Sequence, residues 1–428
     1  MKRSTERILT THAGSLPRPH DWLMMMQAKE DGRSIDEDVY ANRGRRAVAD
    51  IVKKQLDLGV DIICDGEQGK PSFLTYANQR LGGFEPGGPR GSPWAGSRES
   101  KSFPEFYDEM ARQAGGAGGP GRAVQMTCTA PVTYRGQAFV QRDIDNLKAA
   151  LANVTYTEAF LPAISPANLE DWYKNAYYKT EEEFLFAIAD AMREEYRAIV
   201  NAGFLLQIDD PRLATYYVLN PAASIAECRK WAERRVAALN HALRGIPEEK
   251  VRYHTCYSIN MGPRIHDMEM KDIVSVILKI RAGAYSFEAA NPRHDHEWRV
   301  WENVSLPKGK SLIPGVISHT TVLVEHPELV ADRLVKYASV VGRENVIAGS
   351  DCGFATFAGS REIHPSIAWA KLGAMVAGAK LATEQLWGAR RASAAAARKK
   401  PAARRPARKA APARRAAPAR KKARRKAG

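Results

Sequence analysis

A (β/α)8 barrel is the α/β fold this sequence predicts. Three features point there: eight short apolar runs, helix-capable segments between them, and polar side chains where the runs close. The runs are RILTTHAG (7–14), DIICDGE (61–67), AVQMTCTAP (123–131), FLLQIDDP (204–211), VRYHTCY (251–257), AYSFEA (284–289), SLIPGVIS (311–318) and NVIAGSDCG (345–353). Short, nearly continuous apolar runs suit strands buried on both faces of a parallel sheet. Their alternation with helices suits a closed barrel of about this size. A doubly wound open sheet is the alternative that counting runs leaves open.

The intervening helices carry start and stop signals. One opens near Asp36 and stops at Gly59, just before the second run. Another opens at Thr180, with Glu183 three residues on in the capping-box pattern, and ends near Gly203. A third, ELVADRLVKYASVV (328–341), is followed by Gly342 as a natural C-cap. Residues 82–122 are rich in Gly and Pro around SFPEFYDEM. A connection that long is a lid or a structureless excursion, and its place after the second run favours a lid.

Charge divides the chain in two. Of 64 Lys and Arg, 17 fall in 390–428, where there is no acidic residue; the rest of the chain has 47 against 48 Asp and Glu. The expected organisation is therefore a near-neutral barrel over 1–388 and a disordered tail over 389–428. The tail has no apolar face to bury. It resembles the basic tails of bacterial histone-H1-like proteins, and would hold nucleic acid or another polyanion without reading sequence. The five cysteines are scattered and odd in number, which argues for reduced thiols. MKRSTERILTT lacks the apolar core of a signal peptide and no run approaches a membrane span, so a cytoplasmic enzyme with no membrane partner is expected.

In barrels of this kind chemistry gathers at the C-terminal strand ends. Here those ends carry His12 and Ser15, Glu67, Thr129, Asp209, the His254/Cys256 pair, Glu288, His319 and Cys352. His254 and Cys256 are two apart on a strand and so share a face. Zinc takes about four ligands from Cys, His and carboxylate; Cys352 and Glu288 are placed to complete such a set. Cys64, Cys128 and Cys228 read as buried apolar thiols.

TTHAGSLPRP, DGE, IDDP, H-x-C, the strand-end Glu and DCG together resemble cobalamin-independent methionine synthases, most closely the short, single-barrel members. The resemblance covers about residues 5–388. It implies zinc held by His254, Cys256, Glu288 and Cys352. It also implies a homocysteine carboxylate at Gly14 and Ser15, its ammonium at Glu67 and Asp209, and proton donation by His319. Two departures stand out: the family's D-E-P reads Asp209-Asp210-Pro211, and the stretch before His319 is shorter than in the full-length enzymes.

The chemistry has its own logic. A free thiol is mostly protonated at neutral pH, and zinc would deprotonate it. A methyl group leaving a tertiary amine, as in a methyl-tetrahydrofolate, needs a proton on that nitrogen. A methylcorrinoid is the other donor class. Two acids facing the thiol suit an amino-acid thiol; a sulfonate thiol such as coenzyme M would call for Arg or Lys. The leading expectation is a zinc-dependent thiol S-methyltransferase. An epoxyalkane–coenzyme M transferase and a non-catalytic barrel tethered to nucleic acid by its tail are the competitors.

Overall fold

The computed structural model describes residues 1–89, 91–114, 124–258, 261–359, 363–399 and 417. The chain forms two compact units, Met1–Trp387 and Gly388–Gly428. Within the first, eight parallel strands make the barrel. They are β1 (Leu9–Thr10), β2 (Ile62–Cys64), β3 (Glu158–Ile164), β4 (Leu205–Asp209), β5 (Val251–Thr255), β6 (Ala284–Phe287), β7 (Ser311–Ile317) and β8 (Ile347–Ser350). Ladders run in order from β2 through β8 and then to β1. At the remaining seam the Asp61 amide donates to the Thr10 carbonyl (3.1 Å) and the Thr11 hydroxyl to that of Ile62 (2.8 Å). The barrel is thus nearly closed.

The third run is corrected. AVQMTCTAP lies outside the barrel: Val124–Tyr134 pairs antiparallel with Leu81–Pro89 and also pairs with Lys174–Asn175 in a separate three-stranded sheet. Thr129 is therefore no barrel strand end. The true β3, EAFLPAI, is buried from Ala159 to Ile164, whereas in Val124–Tyr134 Met126 and Cys128 are buried and Thr129 is exposed. That alternation belongs to a sheet with one solvated face. The described residues of the expected lid form most of the Leu81–Pro89 strand and the helices Arg98–Ser102 and Pro104–Ala114. Residues 90 and 115–122 of it lie outside the described residues.

The capped helices form where their signals place them. Glu37–Leu58 opens on Asp36, whose carboxylate accepts from the Asp38 and Val39 amides, and closes on left-handed Gly59 (φ +86°). Glu181–Asn201 opens on the Thr180 hydroxyl, and Pro327–Val341 ends at Gly342. The last helix runs Pro365–Lys399; the remainder of the expected tail, 400–428, lies outside the described residues except Ala417.

The barrel interior is layered. Leu9, Ile62, Phe160, Leu205, Ala284, Ile313 and Ile347 form an apolar layer drawn from seven strands. Arg252 of β5 is also buried, its guanidinium 4.0 Å over the Phe160 ring and donating to the Thr11 hydroxyl (2.8 Å) and His12 carbonyl (2.9 Å). Polar side chains thus begin inside the barrel and lead up to its C-terminal mouth.

Candidate active site at the mouth of the barrel

The turn after β1 is built around His12. Its Nδ1 accepts from the Gly14 amide (3.1 Å), so its Nε2 carries the proton and donates to Gln55 Oε1 (2.7 Å). Burial pushes this imidazole down to about 4, leaving it neutral. Gly14 has φ +128°, and a Cβ there would stand 3.2 Å from Pro162 Cγ. The turn delivers Ser15 to the mouth. Gly353, after β8, packs on it so closely that a Cβ would overlap the Ser15 hydroxyl.

After β2 the backbone turns left-handed at Glu67 (φ +55°), which a non-glycine residue holds only under constraint. Asp65 supplies it by accepting the Glu67 amide (2.9 Å). Buried Arg18 adds to it, donating to the carbonyls of Glu67 (2.7 Å), Lys70 (2.8 Å) and Ala355 (3.0 Å). Neither Lys70 nor Arg80 is an ion-pair partner of Glu67: Lys70 donates to the Pro162 carbonyl, and Arg80 pairs with Asp143 and Glu195. Glu67 Oε2 is buried with no hydrogen-bond partner.

Asp209, at the end of β4, accepts from Gln207 Nε2 (2.7 Å). Burial raises its carboxyl well above the usual range, and the Glu67 charge raises it further. Glu67 is raised by burial too, offset in part by Lys70 and Arg18. Two buried acids so arranged could receive a cation. Asp210, by contrast, caps helix Pro211–Leu219 and accepts from Asn168 (3.0 Å).

Register sets the sulfur side. Asp209 pairs with His254 and His254 with Ser286 across neighbouring strands. The Ser286 hydroxyl lies 3.1 Å from His254 Nδ1, while His254 Nε2 is buried without a partner. Burial lowers this imidazole to about 3. Cys256 Sγ and Cys352 Sγ are 3.3 Å apart, unbonded, and with His254 form one group whose ligating atoms lie within 4.8 Å. A neutral imidazole with a free nitrogen facing two thiols is a candidate metal site. Asp351 ties the end of β8 to the end of β6, two strands away, by accepting from the Ala289 and Ala290 amides (both 2.8 Å). The close approach of Asp351 leaves no room for a Cβ at Gly315.

One pocket, of about 400 Å³ counted out to solvent, joins Ser15, Glu67, Asp209, His254, Cys256 and Cys352. Gly14 is not among its lining residues. Glu288 and His319 stand in a second buried group with Asp351. Glu288 accepts from the Tyr257 amide (2.8 Å) and from Arg264 Nη2 (3.3 Å). Against burial, which would raise it, Arg264 and then His319 bring Glu288 down to about 2. His319 Nε2 lies 3.3 Å from the Ser258 carbonyl, its Nδ1 has no partner, and burial lowers the imidazole. Trp94 is packed with Tyr107 and Val218, away from the pocket.

Sequence reasoning missed Arg264, Asn291, Asp351, Gln207 and Arg18. Only Asp351 carried a signal, as the residue before Cys352 at a strand end. The others act through side-chain contacts with no local pattern.

A barrel with an acidic pair and a thiol–imidazole cluster in one pocket at its strand ends has the make-up of an enzyme acting on a small polar molecule. The chain matches the family described as cobalamin-independent synthase, catalytic domain, over residues 8–155 and 166–381, and it belongs to that family. Methionine synthase of Thermococcus kodakarensis is 24% identical over 378 residues, covering 88% of this chain and 94% of that protein. Methionine synthase of Saccharolobus islandicus (strain L.S.2.15) is 26% identical over 381 residues, 88% and 95% of the two chains. The B12-independent methionine synthase of Shewanella sp. W3-18-1, solved with selenomethionine, shares the fold with a TM-score of 0.68. It is 20% identical, with 89% of this chain and 99% of that one covered.

Proposed function

We propose that the protein transfers a methyl group to the sulfur of homocysteine, giving methionine. The observation that carries this reading is the single pocket in which the Glu67/Asp209 pair meets the His254/Cys256/Cys352 cluster. Family membership and relatives called methionine synthase support the same chemistry. Glu67 and Asp209 receive the substrate ammonium, which relieves the repulsion between two buried carboxylates. The Ser15 hydroxyl meets the substrate carboxylate; the Gly14 amide is already engaged by His12. No Arg or Lys lines the pocket among the described residues, which disfavours a sulfonate thiol.

His254, Cys256 and Cys352 would hold zinc, with Glu288 as the fourth ligand; two soft thiolates and an imidazole suit that ion. Zinc, when bound, lowers the pKa of a substrate thiol so that it is an anion at neutral pH. His319 delivers a proton to the group that leaves the methyl by way of its imidazolium: Nε2 keeps its hydrogen toward the Ser258 carbonyl (3.3 Å), while Nδ1, which has no partner in the fold, takes up a second proton and passes it on. The donor is a methylated folate or a methylcorrinoid. The basic residues 390–428 would bind polyanions by charge alone.

Metal analysis and turnover test the reading together. Purified protein should contain about one zinc per chain, and Cys352→Ser should lose both the metal and homocysteine-dependent methyl transfer. A metal-free, folded wild type would overturn it. Activity with coenzyme M and an epoxide, but none with homocysteine, would select the competing reaction.

A further inference from the structure

The least explained polar side chain beside the pocket is Arg264. It lies on the connection after β5, with its side chain buried and its backbone left-handed (φ +60°). A non-glycine residue keeps such a φ only when its surroundings hold it there. Glu99, from the excursion after β2, does so: its carboxylate accepts the amides of Arg264 (3.0 Å) and His266 (2.8 Å). The guanidinium is anchored separately. Its Nε donates to Asp267 Oδ2 (2.8 Å), and His294 Nε2 lies 3.2 Å from the same oxygen. His294 Nδ1 in turn lies 3.0 Å from Glu297 Oε2.

What this scaffold presents is a cation aimed at Glu288. Arg264 Nη1 stands 3.1 Å from Glu288 Oε2 and Nη2 donates to Oε1 (3.3 Å). Tyr257 N and Asn291 Nδ2 (3.3 Å) supply further donors, so both carboxylate oxygens have partners away from the thiols. A carboxylate with a buried, charged alternative partner loses little when it leaves a metal.

We propose that Arg264 is a positioning residue that competes with the metal for the Glu288 carboxylate, keeping Glu288 a displaceable ligand and one metal position open to the substrate thiol. The inference rests on the reading of Glu288 as fourth ligand. Without Arg264, Glu288 is a buried anion whose one strong cationic partner is the metal. It should then grip harder and yield less readily to the thiol.

The test is zinc affinity, measured with zinc alone by competition against a chelator, in wild type, Arg264→Gln, Glu288→Gln and the double variant. Arg264→Gln should tighten zinc by roughly tenfold, the scale of one charge-assisted hydrogen bond, and raise the KM for homocysteine by a similar factor. In the Glu288→Gln background the same change should do neither. Arg264→Lys, which keeps the buried charge but loses the fork, should shift affinity partway in the same direction; it reads the effect if the Gln variant does not fold. Unchanged or weaker zinc binding in a folded Arg264 variant overturns the proposal. So does tightening that persists with Glu288→Gln, since a bare field effect needs no carboxylate. Zinc affinity that is the same in wild type and Glu288→Gln removes this inference and leaves the methyl-transfer reading standing; wild type that binds none removes the metal reading itself.

Discussion

At the scale of single residues, the acidic pair is the costliest arrangement in the pocket and the most diagnostic. Glu67 has an unpartnered buried oxygen, and its charge adds to burial in raising the Asp209 carboxyl. Glu67→Gln should therefore raise the KM for homocysteine by roughly 10–100-fold, the worth of a charged hydrogen bond. Turnover of a thiol lacking the amino group should be unaffected. The same substitution removes repulsion from the ligand-free protein, so its thermal midpoint should hold or rise. Binding sites commonly trade stability for function in this way. His319→Asn should lower kcat by roughly 10²–10⁴, the usual worth of a general acid, with little change in KM; single-turnover methyl transfer measures it.

At the scale of elements, the connections are held by charge and the barrel by packing. His294 is buried between Asp267 and Glu297 and stacked 3.9 Å from Tyr257. Burial would lower it, but the two carboxylates win and raise it from 6.5 to about 9. A raised folded-state pKa gives stability that is complete below pH 6.5 and lost as pH climbs through 9. The loss should be on the order of 3 kcal/mol, seen as a falling melting temperature that His294→Asn flattens over that window. In the barrel, Phe160 is fully buried in the apolar layer and lies under the Arg252 guanidinium, so Phe160→Ala should cost about 3–5 kcal/mol in denaturant unfolding.

Elements also show where local pattern stops. Asp36, Thr180, Gly59 and Gly342 marked helix ends correctly because a cap acts within one turn of its own helix. AVQMTCTAP and EAFLPAI are both β-rich, and only their burial separates them: alternating in the first, continuous in the second. The Gln125, Thr127 and Thr129 spacing was the available sign of a half-solvated strand. Which sheet a strand joins depends on partners far along the chain, and pairing with Leu81–Pro89 settled it.

At the scale of the whole molecule, two units divide the charge. Net charge +16 belongs to the chain as a whole, yet the barrel unit is near neutral and the basic residues concentrate in 390–428. Deleting 390–428 should abolish salt-sensitive DNA binding, read by retardation across a salt series, and leave methyl transfer unchanged. No helix among the described residues is long and apolar enough to cross a membrane.

Seven of the barrel's eight strands, the helix caps and the residues at those seven strand ends were legible in the chain, because each depends on periodicity or on contacts a few residues apart. Ser15, Glu67, Asp209, His254, Cys256 and Cys352 could be named before their convergence in one pocket was seen. Convergence itself, the partnering of Glu288 with Arg264, and the mutual burial of two carboxylates were decided by the tertiary structure alone. Register between strands and the packing of connections bring together side chains that sequence leaves far apart. Whether an acid is ionised, paired or free to bind follows from those neighbours and from the water they exclude.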